Sequence, residues 1–168
     1  MISFDQNGIR FKYRVAGLAV HDGYVLLTKT DQDRYWILPG GRVEINEDTR
    51  AALGRELLEE TCQQAHIGNL LWIVEDFFYL DGTGYHELAF VYAISPINTA
   101  ILDNAWTYRT TDGDTEIELR WFNLDRLEGV DFRPAFLKAE LQRPPETTQH
   151  LIVREPPRSE PDCDRLTS

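Results

Sequence analysis

The stretch from Gly41 to Gln63 constrains this chain most, because it sets Glu56, Glu59 and Glu60 on what reads as a single helix. Asp48 suits the N-cap of a helix running to about Thr61, and Ala51, Ala52, Leu53, Leu57 and Leu58 favour its interior. Each helical residue advances about 100°, so the three glutamates fall within roughly one third of the circumference. Leu53, Leu57 and Leu58 centre on the opposite side. Ala52 lies on the glutamate side and is small enough for a ligand to come close. Carboxylates at these spacings cost a free helix about 0.2–0.5 kcal/mol each. A hard cation with oxygen ligands removes that penalty, and Mg²⁺ keeps positions free for water and phosphate oxygens.

Pro39-Gly40-Gly41 precedes the helix, where glycine lets a backbone carbonyl or amide approach metal or phosphate with no Cβ in the way. Arg55 stands beside the cluster, where pairing with Glu47 would hold one carboxylate in a fixed rotamer. Runs of glutamate on a helix are usually just a solvated face. The full pattern of Gly41, Glu47, Arg55-Glu56-Leu57 and Glu59-Glu60 is more selective, arising by chance at roughly one position in tens of millions. That selectivity outweighs the solvated-face explanation.

Around this stretch the chain alternates strand and turn signals. Phe11 to Val20 and Gly23 to Lys29 read as strands joined by a hairpin turn at His21-Asp22-Gly23. Tyr35 to Leu38 reads as a short strand ended by Pro39. Leu70 to Leu80 and Glu87 to Ile94 are β-rich, with Asp81 to Gly84 as the turn between them. Glu116 to Phe122 alternates, setting Ile117, Leu119 and Trp121 on one face. Arg133 to Gln142 is expected as a second helix, with Pro134 in its first turn. His150 to Val153 is expected as an edge strand. One domain over residues 1–154 and a mobile Pro-rich tail over 155–168 complete the reading. The element order implies a mixed sheet with helices on its faces.

Composition narrows the partners. The net charge of −11 disfavours nucleic-acid polymers and anionic lipid, and a phosphate-bearing ligand calls for a bound cation to invert the local charge. No apolar run approaches the roughly 20 residues that span a bilayer. No secretory signal is expected, and two cysteines, Cys62 and Cys163, fit a reducing cytoplasm. His21, His66, His86 and His150 lack paired zinc spacing. Glu116 and Glu118 share a strand face and are candidates for a further ligand or base. Trp36 and Tyr79 are candidates to stack on a nucleobase, and Arg34 and Arg42 flank the Pro-Gly-Gly turn within reach of a phosphate.

The same residues carry a family resemblance. Gly41, Glu47, Arg55-Glu56-Leu57 and Glu59-Glu60, preceded by Leu38-Pro39-Gly40-Gly41, look like the Nudix box of MutT-like hydrolases. Tyr85 to Phe90 and Leu119 to Phe122 are similar to typical strands of that family, so the likeness covers about residues 11 to 142. It implies an α/β fold, an α/β/α sandwich with a mixed central sheet, and Mg²⁺- or Mn²⁺-dependent cleavage of a phosphoanhydride in a nucleoside diphosphate joined to another group. By position, Glu56, Glu59 and Glu60 become metal ligands with the Gly40 carbonyl. Glu56, Glu59 and Arg55 become the catalytic set, with Glu56 alternatively the base. Gly41, Arg42, Trp36 and Glu118 are the substrate-side candidates. A homodimer is the expectation at family level. The alternatives are a nucleotide-binding module without turnover and a role on RNA ends. Cys62 and Gln63 depart from the family's Gly and aliphatic residue. The first of these puts a left-handed helix end on a residue with a Cβ, at about 1 kcal/mol or more.

Overall fold

The computed structural model describes residues 1–96, 107–112 and 114–155. Two sheets form the middle of the molecule. The larger has the order β1-β2-β6-β5-β9 and is mixed. It comprises β1 (Ser3–Gln6), β2 (Ile9–Leu18), β5 (Ala65–Leu80), β6 (Thr83–Pro96) and β9 (Gln149–Arg154). The pairs β2·β6 and β5·β9 are parallel, while β1·β2 and β5·β6 are antiparallel. The smaller sheet is antiparallel, with the order β3-β4-β8-β7. Its strands are β3 (Val20–His21), β4 (Tyr24–Thr30), β7 (Thr107–Asp112) and β8 (Thr115–Asn123). One helix, α1 (Thr49–Thr61), covers one side, and a 3-10 turn at Leu124–Gly129 with α2 (Leu137–Glu140) covers the other.

Strand side chains alternate between faces, so neighbouring residues feed two separate cores. Leu26 and Tyr92 join Val15, Leu119 and Trp121 beneath Ala52, Leu53 and Leu57 of α1. Leu27 and Val91, one residue along, pack with Trp72, Phe132, Leu137 and Leu141 on the opposite side. The layers are helix, sheets, helix: the expected α/β/α sandwich.

Several local expectations need correction. Tyr35 to Leu38 forms only single bridges, Thr28 with Ile37 and Trp36 with Phe132, because Pro39 and the turn end the pairing. The second helix shrinks to Leu137–Glu140. Residues 131–133 instead pair with Trp36, whose N–H donates to the Asp131 carbonyl and whose carbonyl accepts from the Arg133 N–H. Leu58 is exposed rather than in the core, and Ala52, expected on an open ligand-facing side, is fully buried. Glu155, assigned to the tail, is held by its N–H to the Phe77 carbonyl. The rest of that tail and Cys163 lie outside the described residues.

The end of α1 keeps its shape without glycine. Cys62 stands at φ 52°, ψ 22°, with its N–H donating to the Leu58 carbonyl. The Thr61 hydroxyl closes the last turn on the Leu57 carbonyl at 2.6 Å. Substituting Cys62→Gly should therefore raise unfolding free energy by about 1 kcal/mol, read as a higher urea midpoint at unchanged slope. A midpoint at or below the parent's would show that the left-handed turn stores no strain.

In mid-β5, Asp76 is 6 % exposed, and its Oδ1 has no hydrogen-bond partner among the described residues. Burial, then repulsion from Glu87 and Glu155, pushes its carboxyl from 3.8 up to about 7, against a hydrogen bond from the backbone at Phe77. The folded state thus holds this proton more tightly than the unfolded chain, so its contribution falls as pH rises from about 4 to 7. Asp76→Asn should melt progressively higher than the parent across that window, with a constant gap above pH 7. A gap independent of pH would refute the assignment.

Candidate active site

Asp48 starts α1 by accepting from the backbone N–H groups of Arg50 and Ala51, each at 2.9 Å. Burial of Ala52, Leu53 and Leu57 then presses the stripe Ala52–Glu56–Glu60 toward β2 and the turn at Pro39–Gly41. That turn is stitched to β2. Gly17 N–H donates to the Pro39 carbonyl and Val15 N–H to the Gly41 carbonyl, both at 2.9 Å. Gly40 adopts φ 135°, and a Cβ there would strike the Val15 backbone. A Cβ on Gly41 would occupy the space of the Glu56 carboxylate. Glycine at these two positions lets the backbone and two carboxylates share one small volume.

Arg55 organises the surrounding acids. Its Nε and Nη2 grip both oxygens of Glu47 at 3.0 and 2.9 Å. Its Nη1 donates to Glu56 at 2.9 Å and Glu59 at 3.2 Å, and Nη2 reaches the Arg42 carbonyl at 3.1 Å. The fork from Arg55 holds the Glu47 carboxyl below the usual range. Glu47, first among several carboxylate contacts, raises Arg55 above its own ordinary value. Glu60 behaves oppositely. Burial pushes its carboxyl up to about 8, Glu56 and Glu59 add to the shift, and Arg14 and the Gly40 N–H oppose it. Gly40 N–H donates to Glu60 at 3.3 Å.

Glu56, Glu59, Glu60, Gly40, Gly41 and Arg55 are therefore brought together, along with the backbone of Arg42. The carboxylates do not meet at a point. Among the described residues, no three His, Cys, Asp or Glu side chains form a finished cation cage, since Arg55 draws Glu56 and Glu59 to itself while Glu60 faces the Gly40 amide. The donor set nevertheless fits a hard cation. It consists of oxygen ligands only, arranged around a glycine whose missing Cβ leaves room for one of them. The Gly40 carbonyl accepts from Arg14 at 3.3 Å and retains a second lone pair.

Other candidates fall elsewhere. Glu118 lies on β8 and pairs with Arg109 at 3.4 Å, and Glu116 is exposed; neither bonds to the α1 glutamates. Trp36 is buried in the core, edge-on to Phe122 at 4.7 Å, with Arg120 and Lys29 over its ring. It is thus unsuited to stacking on a ligand. Tyr79 is half exposed at the β5–β6 hairpin, beside Phe78 and Tyr85. Arg34 is exposed. The residue missed from sequence is Arg14, and its signal was the alternation of Arg10, Lys12 and Arg14 along one strand face.

Comparison with known proteins bears on this geometry. The family model of the NUDIX domain matches residues 11–142. A diphosphoinositol polyphosphate phosphohydrolase 2 of Rattus norvegicus is 35 % identical over 78 residues, 44 % of this chain and 42 % of that protein. The match thus spans less than half of that relative's length. A solved UDP-X diphosphatase superposes with a TM-score of 0.59 at 19 % identity, over 83 % of this chain and 66 % of that one. A MutT NUDIX hydrolase from Burkholderia pseudomallei gives 0.57 at 24 % identity, over 78 % and 97 %. An ADP-ribose pyrophosphatase from Streptococcus suis gives 0.54 at 13 %, over 84 % and 98 %. At these identities the likeness to the solved structures is one of fold.

The contact at Gly41 can be tested without an assay of function. Gly41→Ala should swing Glu56 off Arg55 and cost about 1 kcal/mol of stability. In a Glu56→Ala background the same change should cost almost nothing. A double-mutant cycle by urea unfolding should therefore give a coupling near 1 kcal/mol, and additive effects would remove the proposed contact.

Proposed function

The chain belongs to the NUDIX domain family, and on that premise we propose that it is a hydrolase that cleaves a phosphoanhydride bond in a nucleoside-diphosphate derivative with Mg²⁺ or Mn²⁺. Nudix hydrolases generally use divalent metal ions. The observation that carries the proposal is the half-buried Glu60, set with Glu56 against the Gly40–Gly41 backbone. Glu56, Glu59, Glu60 and the Gly40 carbonyl would hold the metal. When bound, such an ion polarises a phosphoryl oxygen and lowers the pKa of water.

The chain's own residues supply the rest. Arg55 fixes Glu56 and Glu59 in place through one guanidinium nitrogen and is itself fixed by Glu47. Glu56, 14 % exposed in its side chain, is alternatively the base that takes a proton from an attacking water instead of holding the metal. Arg14, donating to the Gly40 carbonyl at 3.3 Å, brings a positive charge to the backbone segment that Glu60 also meets. The Cys62 departure leaves α1 and its glutamates intact, so it gives no support to a binding module without turnover. The reading is supported by relatives named as a UDP-X diphosphatase, an ADP-ribose pyrophosphatase and a diphosphoinositol polyphosphate phosphohydrolase, whose names share a diphosphate and differ in the rest.

The test is a panel of nucleoside triphosphates, nucleotide sugars, ADP-ribose and dinucleoside polyphosphates, assayed with Mg²⁺ and Mn²⁺. Glu60→Gln, close in shape to the protonated acid, should leave the melting temperature nearly unchanged. It should reduce turnover by at least about a hundredfold. Retained turnover in that variant, or no turnover of any panel member by the parent, would defeat the proposal.

A further inference from the structure

Four cations gather in one groove beside this site, although the chain carries a net charge of −11. Arg10, Lys12 and Arg14 occupy alternate positions of β2 and so share a face, spaced about 6.6 Å apart. Arg42 joins them through an antiparallel bridge to Arg14. The groove measures about 510 Å³, inside the usual range of about 300–1,000 Å³ for small-molecule pockets. Like charges set directly opposite one another destabilise a sheet, so Arg14 facing Arg42 costs the fold something.

The balancing acids are few. Asp5 holds Arg10 through two bonds of 2.8 and 3.0 Å, and Glu87 lies opposite Lys12 in the sheet register. Lys12 also rests over the Tyr85 ring at 4.4 Å. Burial holds its ammonium below the ordinary lysine value; Glu87 opposes this, and Arg14, Arg42 and Arg10 reinforce it. Lys12, Arg14 and Arg42 make no ion pair among the described residues. The Arg14 end of the groove adjoins the glutamates, since Arg14 Nη2 donates to the carbonyl of Gly40, whose N–H donates to Glu60.

We propose that the groove of Lys12, Arg14 and Arg42, with Arg10 at its far end, binds phosphate groups of the substrate beyond the diphosphate being cut. This rests on the hydrolase reading above and narrows its substrate to a small polyphosphorylated molecule. Planar guanidinium groups suit bidentate contact with phosphate oxygens, and Lys12 adds a point charge between them. A nucleic-acid polymer fits poorly, because the acidic surface beyond the groove repels an extended backbone.

The experiment is calorimetric titration of inorganic tripolyphosphate and of orthophosphate into the metal-free full chain, at low and at physiological ionic strength. Tripolyphosphate should bind at least about tenfold tighter than orthophosphate and weaken as salt rises. Arg42→Gln, at an exposed position that should leave folding intact, should weaken it about tenfold (about 1.4 kcal/mol). Arg42→Lys should recover part of the loss, and Lys12→Gln with Arg42→Gln should weaken binding further, circular dichroism verifying the fold. No binding by the parent chain, equal affinity for both anions, or unchanged affinity in Arg42→Gln would overturn the proposal. The two readings can fail separately. Tripolyphosphate binding lost in Arg42→Gln, without turnover of any substrate, would leave the groove and remove the hydrolase. Metal-dependent turnover of ADP-ribose with no tripolyphosphate binding would do the reverse.

Discussion

Glycine at positions 40 and 41 lets the chain after Pro39 lie flat on β2 while receiving two carboxylates of α1 from the other side. A side chain at Gly40 would push the turn off the Val15 backbone, and one at Gly41 would displace Glu56. The position of α1 itself depends on this closeness. Leu53 and Leu57 anchor the helix in the core, and along the neighbouring stripe Ala52 is fully buried while Glu56 and Glu60 are half-buried. An acidic stripe can be packed so tightly because Arg55 gathers the nearby charge at 2.9–3.2 Å, with Glu47 completing its fork. Breaking one partner of such a cluster leaves the half-buried members, Glu47, Arg55 and Glu56, with uncompensated charge.

What was legible in sequence was local. Asp48 as cap, the helix to Thr61, the Asp22-Gly23 and Asp81-Gly82 turns and the buried row Ile117, Leu119, Trp121 follow from short-range patterns and appear where expected. The Arg55–Glu47 pair was legible too, eight residues apart in sequence but brought together by the helix and its preceding turn. Two local hairpins were nevertheless passed over: β1 folds back on β2 through Asn7-Gly8, with Gln6 opposite Ile9, and β7 on β8, with Asp112 opposite Thr115. Residues 131–133 pair with Trp36, nearly a hundred residues back in sequence, and no local propensity encodes that choice.

The candidate site divides the same way. The glutamates were visible because helical period and family pattern agree, whereas Trp36 was misjudged because its neighbours Phe122 and Arg120 lie some 85 residues away in sequence. Leu58 and Ala52 carry a second lesson. A helical wheel gives only directions, and a helix lying in a trough buries its flank as well as its apolar centre. That is why Ala52 is enclosed and Leu58, on the outer flank, is 47 % exposed.

The charges around Gly40 have opposite signs on its two sides, with carboxylates of α1 below and guanidinium groups of β2 and the Arg42 segment above. Neither half is comfortable alone. Burial, with repulsion from Glu56 and Glu59 added to it, pushes the Glu60 carboxyl up to about 8, and the cations face one another across a bridge. A ligand that brings a divalent cation to the first half and phosphate oxygens to the second relieves both strains in a single binding event. On the proposed reading, either component would change the affinity for the other through the shared Gly40 segment, and linkage requires the two effects to be equal.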